Sequence, residues 1–321
     1  MALVSIIIPV KEINDYIRES VPHILSMDYQ DFEILIFPDV ASGESFAKTR
    51  IIPTGSIGPA EKRDLALEHA TGEILAFLDD DAYPERGWLG SALKGFDDPE
   101  VAAVGGPAVT PDSDSVWQRA SGAVFESRLT SGEYGYRYVP RAAREVDDFP
   151  TVNLLVRKSI FATLGGFDSN FWPGEDTKLC LDITKRLGKK ILYDPGALVY
   201  HHRRSLFKEH LKQVGRYAYH RGYFARVLPE TSLKVAYFIP SLFFLGLIFG
   251  FVLSFFSKYV AALYIGTLAF YTVLLLGSVV SVSLGRKDPK VALLLLPGIF
   301  TTHLIYGFNF LKGICARRYC R

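Results

Sequence analysis

The sequence predicts an α/β domain with a doubly wound sheet, followed by an amphipathic interfacial helix and a C-terminal region of membrane-spanning helices. Three observations predict it. Short β-branched runs alternate with stretches of helical spacing through the first two thirds of the chain. One of those runs, "EILAFL", ends in three consecutive aspartates, at the strand end where such sheets bind ligands. The last third turns apolar, which accounts for the 49% hydrophobic content and the mean hydropathy of +0.17. The boundaries that follow are 1–204 for the α/β domain, 205–232 for the amphipathic stretch and 233–321 for the membrane region.

The first two strands are "LVSIIIPV" (3–10) and "DFEILIFPD" (31–39), β-branched runs that close on turn residues. Between them "INDYIRESVPHILSM" carries apolar residues at helical spacing. "GPAEKRDLALEHATG" predicts a helix opened by Gly58-Pro59 and closed near Gly72, and it feeds the strand "EILAFLDDD". Strand, helix, strand, helix, strand is the order of a doubly wound parallel sheet. Residues 110–150 are rich in Gly, Tyr and Arg and weak in periodicity, so they read as a loop, and a strand-like "TVNLLVRKS" follows with Asn153 and Arg157. In "GGFDSNFWPGEDTKLCLDITKRLGKK" a Pro-Gly turn precedes Glu175 and Asp176, which open a helix with Leu179, Ile183 and Leu187 at helical spacing. "ALVYHHRRS" closes the domain as a strand, where alternation turns His201 and His202 to opposite sides.

Beyond it, "SLFKEHLKQVGRYAYHRGYFARVL" interleaves Leu206, Phe207, Leu211, Val214, Tyr217 and Phe224 with Lys208, Lys212, Arg216, Arg221 and Arg226. That pattern fits a helix lying on an anionic membrane surface, or an ordinary packing helix. Ala236–Phe256, Tyr259–Leu284 and Val291–Ile314 are each about 20 residues or longer, enough to cross a hydrocarbon core. The opening "MALVSIIIPVKEIND" lacks the basic segment and cleavage site of a signal peptide, so the α/β domain is expected in the cytosol. "GRKDPK" is then cytoplasmic by the positive-inside tendency. Three crossings would place the basic tail "KGICARRYCR" outside, against that tendency; a re-entrant third segment, interrupted at Pro297 and Gly298, reconciles the two.

With 36 basic and 34 acidic residues, net +2, and the basic ones clustered near the apolar segments, the chain has no nucleic-acid-binding character. Cys180, Cys315 and Cys320 make no disulfide framework.

Three adjacent carboxylates raise one another's pKa unless a cation sits among them. Asp79 and Asp81, two residues apart at a strand end, can share a hard cation such as Mg2+ or Mn2+, which in turn holds the oxygens of a diphosphate. Asp80 points away, towards a ribose or a sugar. Glu175 and Asp176 either cap their helix and favour its dipole, or one of them is a general base for an attacking hydroxyl. Phe171 and Trp172 just before them can pack on a sugar face.

In order and spacing, "VSIIIPVKE", "GPAEKRDLALEHATGEILAFLDDDAYPERGWL", "GGFD" with "GED", and "YDPGALVYHH" resemble the family 2 glycosyltransferases, over roughly residues 3 to 226. The resemblance implies a GT-A fold, with a Rossmann-like, doubly wound mixed sheet, and an inverting transferase that uses a divalent metal (Mn2+ or Mg2+) to displace a nucleoside diphosphate. It makes Asp79 and Asp81 the D-x-D of the metal site and Asp176 the catalytic base. It places Pro9, Glu12, Asp39, Arg63 and Asp80 around the donor, with Asp64 beside Arg63 where the family usually has Ala-Arg-Asn. A UDP-sugar is the expected donor, although "FPDVASGE" departs from the usual Asp-Asp-Gly-Ser and leaves the nucleobase open. His201 stands where the galactofuranosyltransferases place a metal-completing histidine. In this fold residues 110–150 correspond to the region that shapes the acceptor pocket. Asn153, Trp172, Glu175, Gln213 and Arg216 are the acceptor or supporting candidates, the last two because "QVGRY" loosely resembles the Gln-x-x-Arg-Trp motif of processive synthases. The expected protein is a multi-pass enzyme of the cell (inner) membrane with a cytoplasmic catalytic domain. It would move a sugar to a membrane-associated lipid or lipid-linked saccharide in surface polysaccharide or glycan assembly. The alternatives are a polyprenyl-phosphate monosaccharide synthase, a nucleotidyltransferase, and a non-catalytic nucleotide-binding membrane scaffold.

Overall fold

A computed structural model describes residues 2–316; the end of the tail, with Cys320, lies outside the described residues. The chain forms two compact units, Met1–Val109 with Val139–His202, and Thr110–Tyr138 with Arg203–Arg321.

The first unit carries strands β1 (Val4–Pro9), β2 (Phe32–Phe37), β3 (Thr49–Ile51), β4 (Ile74–Leu78), β5 (Ala82–Pro84), β6 (Val101–Gly105), β7 (Ala108–Val109), β8 (Arg144–Val146), β9 (Asn153–Arg157), β10 (Lys190–Tyr193) and β11 (Val199–His201). Eight of them form one sheet in the order β3-β2-β1-β4-β9-β6-β10-β8, and β5-β11-β7 form a second. The parallel sheet read from the alternation is present in β3-β2-β1-β4, but β9 runs antiparallel between β4 and β6. A run of apolar residues records burial and carries no direction, so "NLLVR" marked a strand without revealing its sense. The sheet is mixed, as in the GT-A fold.

β1 is buried along its whole length, like β4. Trp88 is buried against them, and its indole N–H donates to Asn153 Oδ1 at 2.8 Å. The Asn153 amide in turn donates to the carbonyls of Ala197 at 2.7 Å and Pro107 at 3.4 Å. Fully buried, Asn153 spends its side chain on these three bonds as a core bridge, which fits the supporting alternative and leaves no group for an acceptor. Gly72 sits where the chain passes the start of β1: a Cβ there would lie 2.6 Å from Ser5 N.

Two helices differ from expectation. The stretch after Gly58 is broken at Leu65 into Pro59–Asp64 and Ala66–His69, with Lys62 and Arg63 buried. The helix Glu175–Leu181 passes into a π-helical turn, Asp182–Arg186, so Leu187 falls beyond it.

In the second unit, residues 110–138 are not a loop. Ser115 and Gln118 form a capping box for the helix Val116–Glu126, followed by Arg128–Ser131 and a 3-10 turn, Gly132–Arg137. Weak periodicity hid these helices because the buried residues of the first are small and consecutive, Ala120, Ser121, Gly122 and Ala123, so no apolar stripe marks one face. Four long helices follow: Lys208–Val227, Val235–Ser254, Lys258–Arg286 and Pro289–Cys315. The last three are long and apolar enough to cross a membrane. The third continues through Pro297 and Gly298 without a break. On Lys208–Val227 the buried face is largely small, with Gly215, Ala218, Gly222 and Ala225 beside Val214 and Phe224, while Tyr217 is exposed.

Candidate active site

The aspartates lie where β4 ends and β5 begins, so the chain turns within Asp79–Asp81. β11 pairs antiparallel with β5 in a register that sets His201 opposite Ala82. This pairing brings a residue from the end of the domain to the D-x-D. The backbone N–H of His202 donates to the Asp81 carbonyl at 2.9 Å, and His201 Nε2 lies 3.1 Å from Asp81 Oδ1. One ligand atom each from Asp79, Asp81 and His201 falls within 4.8 Å of the others. Two carboxylates and an imidazole make an O,O,N donor set suited to a borderline-hard divalent cation, with positions left for further oxygens. The residues present therefore fit a metal.

His202 points to the other side, onto Glu19 at 3.0 Å and against the rings of Tyr16 and Tyr83. Asp80 also leaves the cluster: its Oδ2 accepts from Asn14 Nδ2 at 2.6 Å. Asn14 caps the helix Asp15–Leu25 through Oδ1 at the same time. Asn14 is a site neighbour beyond the residues expected from sequence, and its signal there is that of an N-cap, an Asn before a helical run.

The buried Arg63 is the hub of the site. Its guanidinium pairs with Asp79 Oδ1 at 2.8 Å and with Glu175 Oε1 at 3.1 Å, and its Nε has no hydrogen-bond partner. Glu175 is buried at the start of its helix, and its other oxygen accepts from Gly174 N at 2.9 Å. Arg63 thereby ties the helix that carries Asp176 to the end of β4. Asp176 itself is half-buried, with Oδ1 accepting from Thr177 N at 2.7 Å. Next to Arg63, burial pushes the Asp64 carboxyl up to about 7 despite the bond it accepts from Phe167 N at 2.7 Å.

Asp39 accepts from Lys62, whose buried ammonium also donates to the Val10 carbonyl. Lys62 joins the expected Asp39, and its signal in the sequence is a lysine on the apolar side of its helix. Pro9 is the buried last residue of β1, and Glu12 is exposed in the turn that follows. Trp172 is half-buried. Gln213 and Arg216 belong to the second unit, where Gln213 Nε2 donates to Tyr217 Oη at 3.0 Å and Arg216 is exposed.

Residues 5–165 match the family described as Glycosyl transferase family 2. A pre-mycofactocin glycosyltransferase of Mycobacterium tuberculosis is 33% identical over 168 residues, which are 52% of this chain and 34% of that protein. A glucosyl-dolichyl phosphate glucuronosyltransferase of Haloferax volcanii is 24% identical over 207 residues, 57% of this chain and 63% of that one. The chain thus spans about a third of the mycobacterial relative's length and under two thirds of the archaeal one's. Among solved structures, a mannosyltransferase of Pyrobaculum calidifontis in complex with GDP-Man and Mn2+ shares the fold, with a TM-score of 0.56, 19% identity, and coverage of 99% of this chain and 88% of that one. With half of its length matched, and with the D-x-D and "GED" segments joined through Arg63, the chain belongs to glycosyl transferase family 2.

Proposed function

We propose that the protein is an inverting, metal-dependent glycosyltransferase that moves a sugar from a nucleotide-sugar donor to a lipid or lipid-linked saccharide in the membrane, in surface glycan assembly. The observation that carries this reading is the guanidinium of Arg63, which holds the metal-binding end of β4 and the start of the Asp176 helix to one site. Asp79, Asp81 and His201 would hold Mn2+ or Mg2+, which when bound neutralises the charge on a departing diphosphate. Asp176 takes the proton of the acceptor hydroxyl as its oxygen attacks the anomeric carbon and the bond to the diphosphate breaks on the opposite face. Arg63 keeps Asp79 and Glu175 in position. The name of the archaeal relative includes a dolichyl-phosphate-linked sugar, and three helices of membrane-crossing length accompany the site in this chain. Both support an acceptor that stays in the bilayer, and a UDP-sugar is the donor class to test first.

The test is release of nucleoside diphosphate by detergent-purified full-length protein across a panel of nucleotide sugars, with Mn2+, Mg2+ or chelator, with and without extracted lipid. One donor should be consumed only with both metal and lipid. Asp176→Asn should retain donor binding and lose roughly a hundredfold in turnover, the scale of a missing general base. A donor that binds and is never consumed would replace the enzyme with a scaffold.

A further inference from the structure

The third apolar helix is packed unlike the other two. Inside the protein, 39% of its apolar window is buried, against 6% for Val235–Ser254 and 6% for Lys258–Arg286. Its first half lies on the helix Val116–Glu126: Val291, Leu295 and Ile299 share a core with Ala120, Ala123 and Val124. Its second half runs alongside Lys208–Val227 in the same direction. Thr302 Oγ1 bonds His210 Nε2 at 2.9 Å near one end, and Arg226 donates to the carbonyls of Ile314 and Ala316 at the other. Between these points a Cβ on Gly222 would lie 2.1 Å from Phe310 O, and one on Gly313 2.0 Å from Tyr219 O. The two backbones touch, so the two helices lie at one depth.

Lys208–Val227 exposes Lys208, Glu209, Lys212 and Arg216 from its start to its middle, and Arg226 near its end. Charges at the centre of a bilayer are among the costliest placements a chain can make, so this helix does not cross, and a partner at its depth does not cross either. The other end of the third helix is held in the same way. Arg119 pairs with Asp288 at 2.7 Å, and Arg286 pairs with Glu126, which fixes the loop "GRKDPK" on the charged helix Val116–Glu126. What the third helix leaves open is a stripe on one side, with Leu293, Leu296 and Phe308 exposed.

We propose that Pro289–Cys315 does not span the membrane. With Lys208–Val227 it forms a platform in the headgroup layer of one leaflet, its Leu293, Leu296 and Phe308 in the acyl boundary and Lys208, Lys212, Arg216 and Arg226 among anionic headgroups. The chain crosses twice, out through Val235–Ser254 and back through Lys258–Arg286. The end of the third helix then lies on the side of "GRKDPK", and Lys312 shares one face of the membrane with Arg286, Lys287 and Lys290, as the positive-inside tendency requires. The inference rests on the helices entering a bilayer and not on the chemistry of the first unit.

The experiment is labelling of intact cells expressing the full chain with a membrane-impermeant maleimide, before and after permeabilisation. Cys320→Ser leaves the exposed Cys315 as the reporter for the end of the third helix, since Cys180 is buried. Ser257→Cys and Lys290→Cys, each with Cys315 and Cys320 replaced by serine, report the turn between the first two helices and the loop before the third. The expected result is that Cys315 and Lys290→Cys share one side and Ser257→Cys takes the other. Cys315 on the side of Ser257→Cys would establish three crossings and overturn the proposal, as would all three on one side. An epitope tag at the end of the otherwise unsubstituted chain, scored for antibody access against one inserted at Ser257, answers the same question should the cysteine variants fail to accumulate. Loss of glycosyl transfer with this pattern intact would count against the enzyme reading alone.

Discussion

Each unit holds a buried polar cluster, and the two clusters differ in electrostatic state, although the second unit also carries the ion pair of Arg286 with Glu126. In the first, the buried groups are ions in contact: Arg63 between Asp79 and Glu175, and Lys62 on Asp39. In the second, the counterpart is His210, fully buried with its ring nitrogens on Ser121 Oγ at 2.8 Å and Thr302 Oγ1 at 2.9 Å. Burial pushes its pKa down to about 4, so the ring is neutral at physiological pH. The contrast separates two tasks. A site proposed to receive a metal and a diphosphate keeps charge in reserve, at the cost of desolvating it. A helix junction needs only direction, and neutral hydrogen bonds supply that with less at stake when one is lost.

The largest effect expected from this contrast is in the first unit. Arg63→Met leaves the buried Glu175 carboxylate without its cation, and thermal melts should show a loss of about 3–5 kcal/mol at neutral pH. A variant as stable as the wild type at pH 7 would break the comparison. In the second unit, His210→Leu should cost less, about 1–2 kcal/mol, because Ser121 and Thr302 can turn their hydroxyls to carbonyls of their own helices.

The pH profiles sharpen the distinction, because one buried group in each unit, His210 and Asp64, should respond with opposite sign. His210 has a folded pKa below its unfolded value of 6.5, so its contribution is complete above pH 6.5 and is lost as the pH falls towards 4. His210→Leu should remove that acid-side loss. Asp64 has a folded pKa raised from 3.8 to about 7, so its contribution is complete below pH 4 and is lost as the pH rises through 7. Asp64→Asn keeps the acceptor for Phe167 N and needs no proton. Its stability should stay flat across that window where the wild type declines by on the order of 1–2 kcal/mol, solvent screening part of the shift. Parallel curves for wild type and Asp64→Asn between pH 4 and 8 would show that this carboxyl is ionised in the folded chain.

How far the sequence carried the fold depended on what each residue's role required. Strands such as "SIIIP" and "ILAFL" were legible because both of their faces are buried, and an apolar run records burial directly. The three apolar helices were legible for a related reason, to within a few residues of their ends: a long uncharged run records an apolar solvent, even where only 6% of it is buried inside the protein. Asp79 and Asp81 were legible because three like charges in a row are costly without a partner. Which role Asn153 takes was not legible, because a buried amide that bridges Trp88, Pro107 and Ala197 looks in sequence like any polar residue near a loop.

By itself, then, the sequence determined which segments are buried, which carry charge and where the acids stand relative to strand ends, since these are properties of residues and their near neighbours. Tertiary structure alone decided the sense of β9, the pairing of β5 with β11 that delivers His201 to Asp81, and the reach of Arg63 from Asp79 to Glu175. It also placed glycines against carbonyls, so that Lys208–Val227 and Pro289–Cys315 lie at one depth. Each of these joins residues from 16 to well over 100 positions apart. Local patterns report a residue's solvent, and only the closed fold reports its partner.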